Sequence, residues 1–369
     1  MIPSAYIHVP FCSTICSYCA FAKNGRLDRI DAWLDALESE IRQTMSPVLQ
    51  KHPGFRFETI YIGGGTPSVL DLEQTRRLLS LLSPFADEKT EWTIEANPES
   101  VDQDKARMWR QYGVNRVSIG IETFNAKRLA ELGRAHTINQ SRRVIALLKE
   151  CGFTRLGADL MYGFPGETLE ELNTDIDRFL ELDISHLSIY SLILEEGTRL
   201  ARQISEDDLD EDLTAGMYET IEARLKEAGY EHYEISSYAR NADYGRHNAL
   251  IWDDGQYYGF GWGACGRDDR GLYEHSKTFA QYLSDPMAKT YEEEQNPAFD
   301  ALMTGFRTKW GVDVQAWNTR YKDDFFARFG AVLKKWNGRF VQKKGRLALN
   351  EDGMEVLDSI LVDFLMAQE

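Results

Sequence analysis

Nowhere in the 369-residue sequence do about 18 apolar residues run together, so no segment reads as a membrane-spanning helix. Basic residues are in deficit: 42 Lys+Arg stand against 59 Asp+Glu, a formal net charge of −17. A chain so acidic lacks the positive surface that releases counterions from nucleic acid, and no nucleic-acid partner is expected. The opening residues Met1-Ile2-Pro3-Ser4-Ala5-Tyr6 show neither the basic start nor the long apolar stretch of a secretory signal. A soluble, cytoplasmic protein is the expectation. Cysteine is scarce, five in all, and an odd number in such a chain is a poor disulfide framework. With 43% hydrophobic and 12% aromatic residues, however, the chain can bury a sizeable core, which excludes general disorder.

Three segments are expected: 1–200, 201–290 and 291–369. In the first, short β-branched runs at 5–9, 59–62, 92–96, 116–121, 156–161 and 186–190 alternate with helical stretches. Ile30, Trp33, Leu34, Leu37 and Ile41 share one helix face, and Thr168 with Glu171 has capping-box spacing before Leu172, Ile176 and Phe179. Such alternation implies an α/β fold with parallel strands and right-handed crossovers, either a complete or partial β/α barrel or an open doubly wound sheet. The middle segment carries a helix at 213–228 and an aromatic, glycine-rich stretch around Gly255-Gln256-Tyr257-Tyr258-Gly259-Phe260-Gly261-Trp262-Gly263. The last reads as mainly helical and winged-helix-like, with a hairpin turning at Gly345. Its final helix is capped by Asn350 and buries Met354, Leu357, Ile360, Leu361 and Leu365.

Three of the five cysteines, Cys12, Cys16 and Cys19, fall within eight residues just after the first strand. A C-x3-C-x2-C loop folds three thiolates to one side of a small iron–sulfur cluster and leaves one iron without a protein donor. Phe11, Ile15, Tyr18 and Phe21 would shield it. The alternative is zinc, with His8 as fourth ligand. After the second strand, Gly63-Gly64-Gly65-Thr66-Pro67 frees the backbone to approach a ligand, ahead of a helix capped by Asp71. Glu95, Glu122, Asp159, Ser191 and Ile193 close or follow the next four strands, and parallel strand ends share one mouth. Arg134 could hold a carboxylate there, or merely pair with Glu122. Cys151 and Cys265 read as structural thiols.

The cysteine loop and the glycine turn together resemble radical S-adenosylmethionine (SAM) proteins. With Glu95-Ala96-Asn97-Pro98-Glu99 and Asp159-Leu160-Met161-Tyr162-Gly163-Phe164-Pro165-Gly166, the chain is similar to the oxygen-independent coproporphyrinogen III oxidase family over nearly its whole length. Within that family it is most similar to the heme-chaperone branch. The resemblance implies a radical SAM partial (β/α)6 barrel at 1–200, a barrel extension at 201–290 and a winged-helix-like domain at 291–369. It implies a [4Fe–4S] cluster on Cys12, Cys16 and Cys19, and a SAM site lined by Tyr6, Tyr18, Gly64, Gly65, Thr66, Glu95 and Ile193. Arg134 and Asp159 match positions that hold a second SAM in the oxidases, as does Glu122. The family's usual glutamine is replaced at Glu122, so the second-SAM contact loses its donor here. The oxidases carry a fourth cysteine where Phe21 stands, and a long segment ahead of the first; both differences favour the chaperone branch. That branch has an H-N-x-x-Y-W signature linked to heme, and here His247-Asn248-Ala249-Leu250-Ile251-Trp252 keeps the histidine but not the tyrosine. His247 would be an axial heme ligand, with Arg246 on a propionate. The implied function is a heme chaperone that hands heme to a client heme protein. A homodimer and peripheral membrane contact through the client are compatible with it. The alternatives are a radical enzyme abstracting hydrogen from a porphyrinogen propionate, and a zinc-stabilised binding module.

Overall fold

Period-two alternation in the first six strands decides which side of the sheet meets the helices. A computed structural model describes residues 2–276, 278–293 and 296–367; positions 1, 277, 294, 295, 368 and 369 of the expected segments lie outside the described residues. The chain begins with β1 (Ser4–Val9), α1 (Ile30–Lys51), β2 (Thr59–Gly64), α2 (Leu72–Leu82), β3 (Glu91–Ala96) and α3 (Gln103–Tyr112). It continues through β4 (Arg116–Glu122), α4 (Ala126–Leu132), α5 (Ile138–Glu150), β5 (Arg155–Tyr162), α6 (Leu169–Glu181) and β6 (His186–Ser191). β1 to β6 pair in parallel and in sequence order. Ile7, Ile60, Ile62, Trp92, Ile94, Val117, Ile119, Leu156, Ala158 and Leu187, at 0–2% exposure, share one core with Trp33, Leu37, Leu78, Trp109, Leu148 and Ile176 of the helices. Asp71, Thr137 and Thr168 each close a capping box, which fixes where α2, α5 and α6 start.

The middle segment is not one appendage but serves both edges of the sheet. After α7 (Glu211–Glu227), which buries Met217, Ile221 and Leu225, β7 (Glu231–Glu234) and β8 (Ser237–Ala239) pair antiparallel beyond β6. Then α8 (Arg246–Trp252) leads to β9 (Tyr257–Phe260), a seventh parallel strand that lies beside β1, Ser4 opposite Tyr257. β10 (Cys265–Asp268), β11 (Gly271–His275), α9 (Phe279–Ser284) and β12 (Lys289–Tyr291) complete a twelve-stranded sheet of order β12-β11-β10-β9-β1-β2-β3-β4-β5-β6-β8-β7. Its two ends do not pair, so the barrel is partial.

A second core forms from α10 (Pro297–Gly305), β13 (Val312–Asp313), α11 (Val314–Tyr321), α12 (Phe325–Lys335), β14 (Phe340–Lys343), β15 (Arg346–Leu349), α13 (Glu351–Met354) and α14 (Leu357–Met366). The hairpin turns at Lys344-Gly345, both left-handed. Asn350 caps only the short α13, and the expected single last helix is broken before α14; Leu365 faces outward at 41% exposure. Among the described residues no helix is long and apolar enough to cross a membrane.

Glu40 on α1 joins the extension to the barrel. It is 1% exposed and accepts from the Gly261 N–H at 3.0 Å and the Tyr282 hydroxyl at 2.7 Å, while His275 Nε2, 3.0 Å from it, lies 2.9 Å from the Gly259 carbonyl. Removing this acceptor strands both donors at once. Glu40→Ala is expected to cost about 3–5 kcal/mol in urea unfolding of the metal-free chain. A loss under about 1 kcal/mol would mean the extension is held without it.

Candidate functional site

The opposite face of the parallel sheet is polar, and it builds a cavity of about 480 Å³ at the carboxyl ends of the strands. Four carboxylates line it: Glu95 at the end of β3, Glu122 at the end of β4, Asp159 on β5 and Glu195 beyond β6. Glu95 accepts from the Tyr61 hydroxyl at 2.6 Å and the Gly64 N–H at 3.0 Å. Glu122 accepts from the Tyr18 hydroxyl at 3.2 Å and the Tyr190 hydroxyl at 2.7 Å. Burial pushes Glu95 above the ordinary carboxylate range, and burial together with the charges of Glu122 and Glu95 pushes Asp159 well above it. Arg134 stands among them, 3.6 Å from Glu122, 3.0 Å from Asn97 Oδ1 and 3.5 Å from Cys16 Sγ. Arg134 pairs with Glu122 while lining the cavity.

The cysteine loop forms the mouth. Gly65 N–H donates to Val9 at 2.8 Å, Thr66 N–H to Phe11 at 2.8 Å and Ser17 N–H to Leu132 at 2.8 Å, so the loop is tied to the turn after β2 on one side and to the end of α4 on the other. Cys12, Cys16 and Cys19 all line the cavity, and burial raises the thiols of Cys12 and Cys19. His8 is not a fourth ligand. Its Nδ1 lies 2.8 Å from the Tyr6 hydroxyl and its Nε2 2.8 Å from the Ala22 carbonyl, so both ring nitrogens are engaged. Phe11 is no shield either: it is fully buried and packs edge-on against Trp33 and Phe279. Ile15 and Phe21 stay at the rim, 43% and 67% exposed.

The glycine turn packs closely on its neighbours. At Gly64, φ is +108°, and a Cβ there would lie 2.6 Å from the His8 ring; at Gly65 a Cβ would meet the Phe11 and Val9 carbonyls at 2.8 Å. The missing side chains let the turn dock on β1.

Tyr18, Gly64, Gly65, Thr66, Glu95, Glu122, Arg134, Asp159 and Ile193 are brought together with the three cysteines. Tyr6 is not among them; it stands behind Tyr61, ring centroids 6.2 Å apart. The cavity also takes Tyr61, Met161, Ser188 and Tyr190, which motif reading missed. Strand parity could have found them. Tyr61 shares its face with Gly63, Met161 with Asp159, and Tyr190 with Ser188, and the pairing aligns Gly120 with Asp159 and Asp159 with Ser188.

A cavity lined by four carboxylates and one buried guanidinium, with Lys23 at its rim, suits a cationic ligand. SAM carries a sulfonium and an ammonium, and the three thiols at the mouth are a donor set for iron. The family model of the Radical SAM superfamily matches residues 6–179, and that of the HemN C-terminal domain matches 277–356. The heme chaperone HemW of Lactococcus lactis is 35% identical over 98% of this chain and 97% of its own length. The chain belongs to the HemW family of radical SAM proteins. The Bacillus subtilis HemW is 34% identical over 90% of both chains. The coproporphyrinogen III oxidase HemN of Escherichia coli superposes with a TM-score of 0.83 over 98% of this chain and 90% of that one; at 22% identity this shows the shared fold. Radical SAM membership implies a [4Fe–4S] cluster and SAM.

Two HemW-family expectations meet a different geometry. Cys265 is at the surface, not buried, at the start of β10. His247 is 3% exposed on α8, outside the cavity; its Nδ1 lies 2.9 Å from Thr59 Oγ1 and its ring stacks on Tyr61 at 5.0 Å. Arg246 instead donates to the Lys89 carbonyl. Burial lowers His247 from its ordinary 6.5 to about 3. The unfolded chain therefore takes up a proton at His247 below about pH 6.5 that the folded one refuses, and this contribution to stability, complete above pH 6.5, is lost as pH falls toward 3. The advantage of wild type over His247→Gln in urea unfolding should shrink by about 2 kcal/mol between pH 7.5 and 5. A gap independent of pH would mean an open, freely titrating imidazole.

Proposed function

We propose that this protein is a heme chaperone built on a radical SAM core, with Cys12, Cys16 and Cys19 as ligands of a [4Fe–4S] cluster. The observation carrying the reading is the convergence of three thiols from one short loop on a cavity of buried carboxylates, in a chain of the HemW family. When bound, the cluster would supply an electron to SAM and so the means of cleaving it. The chain's own groups bind and orient. The GGGTP backbone and Glu95 would hold the methionine and ribose parts, Asp159 would face the positive charge, and Tyr18 and Ile193 would close the cavity. The thiols of Cys12 and Cys19, neutral when metal is absent, must lose protons to bind iron, so loading is favoured by higher pH.

Heme is the proposed cargo, passed to a client heme protein. For His247 to reach heme iron its ring must leave Thr59 and Tyr61. Heme titration of wild type and His247→Ala separates two sites: a shifted Soret band makes α8 the site, and an unchanged titration puts the cargo elsewhere. If wild type binds no heme and instead decarboxylates coproporphyrinogen III, the chaperone reading falls to the oxidase one.

Reconstituted protein is expected to bind about four irons per chain, with broad absorption near 400 nm that the Cys12/Cys16/Cys19→Ala variant loses. A full cluster in that variant would sink the ligand assignment. Glu95→Ala should weaken SAM binding by about tenfold to a hundredfold, far more than Glu122→Ala, in anaerobic calorimetry. Equal losses would contradict the ribose role.

A further inference from the structure

The carboxylate of Glu122 has protein donors on both oxygens, and its backbone is held in an unusual conformation. Its φ is +68°, where the β4–β5 register slips between Gly120 and Glu122. An L-residue adopts that region only when its surroundings impose it. The side chain is buried. Oε2 accepts from Tyr190 at 2.7 Å; Oε1 faces Arg134 at 3.6 Å and accepts from the Tyr18 hydroxyl at 3.2 Å.

Tyr18 lies in the chain between Cys16 and Cys19. The first half of the loop is anchored near β1 and β2, by Cys12 N–H to the Asn24 carbonyl at 3.3 Å and by Thr66 Oγ1 to Cys12 Sγ at 3.5 Å. The second half reaches the far side of the cavity, where Arg134 meets Cys16 Sγ and Glu122 receives Tyr18. We propose that Glu122 is a positioning residue: it clamps the Cys16–Cys19 half of the loop through Tyr18, so that the thiols are arranged before metal arrives. This reassigns Glu122 from a SAM contact to the loop, and it rests on the reading of that loop as the cluster site.

The test uses the full chain. Hydrogen exchange at residues 16–20 is read in the metal-free protein, and chelator-driven iron loss in the reconstituted protein. Tyr18→Phe and Glu122→Ala should each speed both by about tenfold, the worth of one hydrogen bond to a buried charge. The double variant should be no faster than Glu122→Ala alone, because that substitution already removes the Tyr18 contact. Glu122→Gln should stay within about threefold of wild type, since its amide oxygen still accepts from Tyr18. If Glu122→Ala does not fold, Tyr18→Phe and Glu122→Gln carry the test. A Tyr18→Phe protein that behaves as wild type, additive effects in the double variant, or a Glu122→Gln protein as loose as Glu122→Ala would each overturn the clamp. If wild type holds no iron, the cluster reading fails, while exchange in the metal-free chain still decides the clamp.

Discussion

A set of buried carboxyl groups is the constraint around which the rest of this molecule is arranged. Glu95, Glu122 and Asp159 are drawn out of water at the ends of three adjacent parallel strands, where desolvation and the neighbouring carboxyl groups disfavour ionisation of Glu95 and Asp159. Three tyrosine hydroxyls, one backbone N–H and one guanidinium share the task of satisfying Glu95 and Glu122. Arg134 is held in turn by Asn97 and the Gly120 carbonyl, so its position is determined by β3 and β4 together. The arrangement remains short of positive charge, which is the property a cationic ligand would use. Glycine and tyrosine are needed where they stand because the first permits the close docking of β2 on β1 and the second supplies a donor without a charge.

The edges of the sheet solve a separate problem. A parallel sheet of six strands would leave β1 and β6 with unpaired backbone groups. The middle segment covers both, β9 lying parallel beside β1 and β8 antiparallel beside β6. Glu40 ties the first of these additions to α1 through a fully buried set of donors. The C-terminal domain has its own aromatic core of Trp317, Phe325, Phe329 and Phe364, and touches the barrel beyond β7, where Ile235 N–H donates to Arg307. The site is therefore carried by rigid strand ends, while the parts added late in the chain stiffen its frame.

Sequence alone settled the α/β core, because strand alternation and capping boxes are local: the pattern of Ile60, Ile62 and Ile94 against Tyr61 and Glu95 needs no neighbour to be read. It also named the cysteines, the GGGTP turn, Glu95, Asp159 and Arg134, whose spacing is a property of one short stretch each. What it could not supply is which residues from different strands share a face at the same height. Parity puts Tyr61, Ser188 and Tyr190 on the polar face, but that Ser188 stands level with Asp159 became visible only with the pairing register, and Tyr6 dropped behind Tyr61 for the same reason. His247 and Phe11 were placed inward by packing: an aromatic next to a motif is drawn to whatever apolar surface lies nearest in space. The partner of Glu122 is Tyr18, 104 residues earlier in the chain, and no periodicity relates residues so far apart; only folding brings a loop and a strand end within hydrogen-bonding distance.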